Sequence, residues 1–338
     1  MSDPAAPPAS SRTAPASLND LLSGATSRTP LVQADGFSGA RLERVEIGGE
    51  SYVLKQLSLD EDWIMWVTGD VACRAILVWE SGLLERLPSS IDHTIVACAR
   101  GDRPGTGYLL MRDVGPYLLP EGDAQVPLEQ HLRFLDHMAE AHAAFWGWQD
   151  TVGLLPLSQR YLIFSPPVLE TAVARGGSSP ILAMALDGWR RFRDGAPRAA
   201  DVVLPLLYDP PPLVAALEST PQTFVHGDWK MGNLGSHPDG RTILLDWALP
   251  GRAPAAVDLA WYLALNRMRL PHSKEDAIEA YRRSLLSHGI DTDGWWERQL
   301  GLALLGMLVI IGWQKVLGDA DELAWWEAWA IEGARWLT

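Results

Sequence analysis

The hydrophobic period of this chain changes once along its length, and that change restricts it to a small sheet followed by a larger helical body. Arg41 to Ile47 alternates polar and apolar residues, Gly48 and Gly49 supply a turn, and Ser51 to Leu57 alternates back, the pattern of an antiparallel hairpin. With a further strand candidate at Leu31, residues 31–57 read as strand, turn, strand, turn, strand. A helix is predicted over 70–87, stopped by Pro88, and two more strands over 94–99 and 107–111, joined by a turn rich in Gly and Pro. Residues 113–125 hold two prolines and two glycines and read as a connector. Beyond them helical spacing takes over, with helices predicted over 128–148, 180–192, 202–217, 256–265, 274–288, 295–317 and 322–336. Only two short strands, 222–225 and 242–245, interrupt that run. The expected class is α+β in two lobes, and no internal repeat is visible.

Charge and composition remove several functions. Lys and Arg number 28 against 42 Asp and Glu, a net charge of −14 that does not suit a nucleic-acid backbone. The first thirty residues are rich in Ala, Pro, Ser and Thr and lack the charged start and apolar core of a signal peptide. They predict a disordered tail over residues 1–20, an N-lobe over 21–112, a C-lobe over 113–338, and a cytoplasmic protein. Cys73 and Cys98 sit in apolar stretches with no partner pattern for a metal or a disulfide framework, so buried reduced thiols are expected. The run Leu300 to Trp313 is short for a membrane span and carries Gly301, Gly306 and Gly312, so it reads as a core helix and no membrane partner is expected.

The chemistry is concentrated between and just after the two short strands. Residues 226–233 read His-Gly-Asp-Trp-Lys-Met-Gly-Asn, and residues 243–247 read Ile-Leu-Leu-Asp-Trp. This pair resembles the catalytic loop and metal-binding segment of the aminoglycoside phosphotransferase and choline kinase group, which has a protein-kinase-like fold. The kinase signature sets a catalytic Asp five residues before a metal-binding Asn, the spacing of Asp228 and Asn233. The resemblance therefore implies a transfer of the ATP γ-phosphate to the hydroxyl of a small molecule. Asp228 would take the hydroxyl proton, and Asn233 and Asp246 would hold Mg²⁺ through hard oxygen donors; Lys230 stands where protein kinases carry a lysine near the transferred phosphate, a position many small-molecule kinases of this group fill otherwise. A turn through Pro238-Asp239-Gly240 would return Asp246 to the side of Asn233. His226 reads as a structural hydrogen-bonding residue.

The same resemblance extends into the first lobe. Lys55, in a Tyr-Val-Leu-Lys context on the third strand, would bind the α/β-phosphates and pair with a glutamate on the next helix. Glu80, heading a Glu-x-x-x-Leu-x-x-Leu run, is favoured over Glu85 for that pairing. The stretch Asp35-Gly36-Phe37-Ser38-Gly39-Ala40 resembles a phosphate-covering turn, with Ser38 and Gly39 against the nucleotide. The strand running into Arg112-Asp113-Val114 resembles the hinge, where the backbone of Arg112 and Val114 would bond the adenine edge. Asp258, in an Asp-Leu-Ala run, reads as a helix cap or a brace for the catalytic loop.

The acceptor leaves fewer marks. Seven tryptophans from Trp295 to Trp336 could stack on a sugar or a quaternary ammonium, but their spacing favours core packing. Acidic residues near the C-terminus suit a solvated helix face. Asp321, Glu322 and Glu327 come first if any of them binds an amine. An aminoglycoside-like antibiotic leads the acceptor classes, with antibiotic resistance the role that would follow, ahead of an amino alcohol or sugar. GTP in place of ATP stays open, as does the oligomeric state. The rivals are a nucleotide-binding module without transfer and a protein kinase; the second lacks its GxGxxG, Asp-Phe-Gly and Ala-Pro-Glu segments here.

Overall fold

The structure is a computed structural model that describes residues 17–31, 39–177 and 179–337. In chain order the elements are α1 (Leu18–Leu21), β1 (Ala25–Leu31), β2 (Arg41–Ile47), β3 (Glu50–Ser58), α2 (Trp63–Val67), α3 (Arg74–Glu80), β4 (Ile91–Asp92), β5 (Ile95–Arg100) and β6 (Thr106–Arg112). The second part holds α4 (Leu128–Ala144), α5 (Leu157–Leu162), α6 (Pro166–Ala174), α7 (Pro180–Gly195), α8 (Ala200–Tyr208), α9 (Pro211–Glu218), β7 (Thr223–Val225), β8 (Leu234–Ser236), β9 (Thr242–Leu244) and β10 (Gly251–Ala253). Helices α10 (Ala256–Leu265), α11 (Lys274–Ser287), α12 (Trp296–Val316) and α13 (Ala320–Ala334) close the chain. The class is α+β, an antiparallel N-terminal sheet and a helical C-terminal region.

The first sheet has the order β1-β2-β3-β6-β5, every neighbour antiparallel. Alternation sorts its two faces: Leu110 joins Leu21, Val45, Leu54 and Ala99 in a small cluster under α1, while Leu109 and Cys98 face the main core beside α3. Residues 17–20, expected within the tail, begin α1, where Ser17 caps the helix through the Asp20 amide. Residues 1–16 lie outside the described residues. Cys73 and Cys98 are buried and free, and burial pushes each thiol up to about 12.

Two predicted helices are broken, and a third, 295–317, is kinked at Ile311 (φ −121°, ψ 18°). The stretch 70–87 holds α3 and then a separate 3-10 turn at Leu84–Arg86, because Gly82 adopts a φ of 74° between them. The stretch 202–217 splits into α8 and α9, which meet at 94° around Pro210-Pro211-Pro212, where ring closure removes the donors a continuous helix needs. Helices α5 and α6 went unread because each is too short to display a period.

Helix α12 is long and apolar enough to cross a membrane by composition, yet 89% of its most apolar window is buried against other parts of the protein. It is the central core helix, as the glycine-bearing run predicted. Gly301 and Gly333 let α12 and α13 touch at backbone distance, since a Cβ on Gly333 would lie 2.2 Å from the Gly301 carbonyl oxygen. Trp296, Trp313 and Trp326 are buried, Trp295, Trp325 and Trp329 pack at the edge of the core, and Trp336 is exposed. Core packing accounts for all but the last.

Candidate active site

The loop after β7 is built by side chains that reach it from α10 and α5. Asp258 accepts hydrogen bonds from the amides of His226 (2.9 Å) and Gly227 (2.8 Å), and it contacts His142 Nε2 at 3.1 Å. Of the two roles read for Asp258, the brace is the one found; it makes no cap bond to α10. Burial alone would raise the Asp258 carboxyl, but the His142 hydrogen bond and the charges of His142, His226 and Arg160 hold it below the ordinary carboxylate range. A carboxylate depressed on folding stabilises fully above its unfolded pKa, and that stability disappears as pH falls through the folded value. Asp258→Asn is therefore expected to lower the urea midpoint at neutral pH and to flatten its fall below about pH 4, measured by denaturation at a series of pH values.

Trp261 of α10 and Asn266, the residue that closes this helix, hold the same loop. Trp261 Nε1 donates to Asp228 Oδ1 at 2.8 Å, and Asn266 Oδ1 accepts from the Met231 amide at 2.9 Å. Residues 258, 261 and 266 follow helical spacing, so one face of α10 meets the loop from end to end. From α5, the buried Arg160 donates to the carbonyls of Gly227 (3.0 Å) and Leu249 (2.5 Å). Sequence reading missed Arg160, Trp261 and Asn266. The last two carried a signal in their spacing from Asp258; Arg160 carried none.

Asp228 lies at the centre. Its Oδ2 accepts from Lys230 Nζ at 2.9 Å and from Asn233 Nδ2 at 2.8 Å. Burial opposes the Lys230 charge, but the Asp228 carboxylate beside it holds its pKa above the ordinary value. The Asn233 amide nitrogen also donates to the Asp228 carbonyl at 2.9 Å. Both of its bonds are thus made by nitrogen, and among the described residues no donor is bonded to its oxygen. Burial pushes His226 down, against the pull of Asp258 and Asp228, and its Nδ1 accepts from the Asp228 amide at 3.2 Å. A neutral, loop-bracing histidine fits the structural reading.

The β8–β9 hairpin returns the chain as its turn residues predicted. Leu234 pairs with Leu244, and the Leu245 amide bonds the Asn233 carbonyl at 2.9 Å. Asp246 follows with a φ of 63°, a conformation few non-glycine residues adopt. Its Oδ1 meets Lys55 Nζ, from the central strand β3, at 2.7 Å. Burial opposes both charges. Each nevertheless favours the ionised form, Lys55 shifted up and Asp246 shifted down, because the other lies beside it. Asp62, 4% exposed at the start of α2, adds negative charge near Lys55 and was not anticipated.

The expected Lys55–Glu80 pair is not formed. Both Glu80 oxygens are held by Arg100 on β5, at 3.1 and 2.5 Å, because α3 turns that carboxylate toward the β5 edge. Such a partly exposed pair contributes little. Glu80→Gln is expected to change the KM for ATP by less than about twofold, whereas Lys55→Met raises it by about tenfold or more, read from initial rates against ATP. Ser38 lies outside the described residues. Gly39 is described at a φ of 90°, and a Cβ there would lie 2.5 Å from the Glu61 carbonyl oxygen.

At the hinge, the Arg112 amide already donates to the Thr94 carbonyl (3.0 Å), so only its carbonyl remains for a ligand, while among the described residues no acceptor is bonded to the Val114 amide. The Arg112 side chain pairs with Asp92. Two of the three carboxylates put forward for amines are internal. Glu322 is enclosed by Lys274, Lys315, Arg267 and Trp326, and Glu327 accepts the Arg198 and Ala199 amides at the start of α8. Asp321 alone is exposed. A cavity of about 280 Å³ beside Glu322 is lined by Arg267, Arg269 and Lys315 as well as Asp123, Asp319 and Glu322, so it offers a polycation no excess of negative charge.

Residues 95–295 match the Phosphotransferase enzyme family (APH). No curated protein matches the sequence significantly. Among solved structures, a microcompartment-associated aminopropanol kinase superposes with a TM-score of 0.50 at 14% identity, over 92% of this chain and 90% of its own. A thermostable mutant of aminoglycoside phosphotransferase APH(4)-Ia, in a ternary complex with AMP-PNP and hygromycin B, gives 0.49 at 14% identity, over 94% of this chain and 96% of its own. Choline kinase LicA from Streptococcus pneumoniae gives 0.49 at 12% identity, over 94% and 96%. At these identities the likeness is one of fold. The profile spans more than half of the sequence, including the loop and the hairpin just described, and the chain belongs to the phosphotransferase enzyme family, as a small-molecule kinase.

Proposed function

We propose that this protein transfers the γ-phosphate of ATP to a hydroxyl of a small molecule in a Mg²⁺-dependent reaction, in the cytoplasm. One observation carries the reading: the Asp228 carboxylate, bonded to Asn233 and Lys230, lies close enough to the Lys55–Asp246 pair for the charges of each group to act on the other, and the Asn233 oxygen beside them is uncommitted. The donor set fits a hard divalent cation, since the Asn233 nitrogen is taken and its oxygen is not, and Asp246 adds a charged oxygen. Among the described residues no cluster of three or more His, Cys, Asp or Glu side chains is arranged for a metal. Asn233 and Asp246 would share the ion with nucleotide oxygens and water. Bound there, Mg²⁺ would neutralise charge on the phosphates.

The protein's own groups take the remaining tasks. The Arg112 carbonyl and Val114 amide offer one acceptor and one donor to the adenine edge. Lys55 holds the α/β-phosphates, Lys230 lies near the transferred group, and Asp228 accepts the hydroxyl proton and aligns the oxygen for attack. An aminoglycoside-like acceptor is the first class to test, but the burial of Glu322 and Glu327 withdraws two of the carboxylates it would need. That observation favours the second class, an amino alcohol, sugar or similar metabolite carrying at most one positive charge. The test is Mg·ATP turnover, with and without Mg²⁺, across aminoglycosides, macrolides, amino alcohols and sugars. Turnover confined to one class identifies the acceptor; nucleotide binding without turnover on any of them would favour a binding module.

A further inference from the structure

The carboxylate of Asp228 has about four lone-pair directions, two on each oxygen. In this structure Oδ2 uses both of its own, on Lys230 Nζ at 2.9 Å and Asn233 Nδ2 at 2.8 Å. Oδ1 receives the Trp261 indole N–H at 2.8 Å and no other donor among the described residues. Trp261 is 7% exposed and sits mid-helix in α10, between the loop contacts of Asp258 and Asn266, so its ring has little room to turn.

We propose that Trp261 is a positioning residue for phosphoryl transfer: its indole N–H fixes Asp228 Oδ1 so that one lone pair of that oxygen is left for the acceptor hydroxyl. This rests on the kinase reading above and deepens it, because it says which oxygen of the base is used. The acceptor oxygen bonds the γ-phosphorus and the bond from that phosphorus to the ADP oxygen breaks. ADP leaves with the electron pair, and the hydroxyl proton passes to Asp228 Oδ1. Oδ2, saturated by Lys230 and Asn233, stays out of the proton transfer. Without the indole donor the carboxylate keeps its two contacts on Oδ2 but is free to rotate about them. The proton acceptor would then spend most of its time out of line with the hydroxyl.

The test uses the full chain and three variants. Trp261→Phe removes the donor and keeps an aromatic ring; Trp261→His restores an N–H, since imidazole Nε2 occupies the same ring position as indole Nε1. Turnover of Mg·ATP is measured with water and with the acceptors of the panel. The expected result is a kcat for Trp261→Phe lower by about tenfold to a hundredfold, the range for one hydrogen bond to a charged group, with the KM for ATP within about twofold of wild type. Trp261→His recovers part of the loss. In ¹⁵N–¹H spectra the indole cross-peak absent from Trp261→Phe moves when Asp228→Asn replaces the charged acceptor. A wild-type kcat in Trp261→Phe, a loss matched by an equal rise in KM, or an indole cross-peak unmoved by Asp228→Asn overturns the assignment. If Trp261→Phe does not fold, Trp261→His identifies the cross-peak and its response to Asp228→Asn decides. Wild-type protein inactive with every acceptor and with water overturns the kinase reading itself. An active wild type with an unaltered Trp261→Phe overturns only the positioning role.

Discussion

Asp228→Ala is expected to lower transfer to any acceptor by about a thousandfold or more while ATP still binds, because in the proposed reaction it removes the group that would take the proton and align the attacking oxygen. The nucleotide contacts proposed for Lys55, the hinge and Asp246 lie on other elements and would survive. The substitution also leaves the Trp261 indole, Lys230 and the Asn233 amide without their shared acceptor, at a cost of about 1–3 kcal/mol in stability. Asp228→Asn separates the two effects. It keeps the shape and part of the bonding, so the same loss of kcat with a smaller change in unfolding midpoint would assign the loss to chemistry. Steady-state rates, nucleotide titration and urea denaturation of both variants supply the comparison.

Gly227→Ala should damage the protein more broadly. Gly227 adopts a φ of 81°, and a Cβ there would lie 2.0 Å from the Leu249 carbonyl oxygen and 2.5 Å from the Arg160 guanidinium. Neither neighbour can move away: the carbonyl is held by Arg160, which is itself buried and donates to the Gly227 carbonyl. The loop would have to shift, which breaks the amide bonds to Asp258 and displaces Asp228 with them. A stability loss of about 2–4 kcal/mol is expected, from backbone strain together with orphaned buried polar groups. Transfer should fall by at least the factor seen for Asp228→Asn. Urea midpoints and rates at saturating Mg·ATP check both parts; a variant with native stability and full activity would mean that the loop is not clamped as described.

The placement of the loop and hairpin was legible because it follows from residue identity at fixed spacing: Asp228 to Asn233, then a Pro-Asp-Gly turn that returns the chain so that the Leu245 amide meets the Asn233 carbonyl. The sheet was legible because alternation fixes which residues face the core, and β2 and β3 fall where the pattern put them. The Lys55 partner was misread for a physical reason. A helix register implies a contact only if the helix runs unbroken, and α3 ends at Glu80, whose carboxylate faces Arg100 instead. The tripartite hold on the loop by Asp258, Trp261 and Asn266 was half visible, since helical spacing groups the three but does not say what they touch. Arg160 left no trace, because its two bonds go to backbone carbonyls that any sequence supplies.

The central claim is tested most directly by ³¹P NMR of the full-length protein incubated with Mg·ATP and the pooled hydroxyl acceptors, beside Asp228→Asn under the same conditions. The account predicts that ADP and a new phosphomonoester resonance grow together in the wild-type sample and that neither grows in the variant. Equal rates in both samples, or loss of ATP to inorganic phosphate alone with no ester formed, would contradict it.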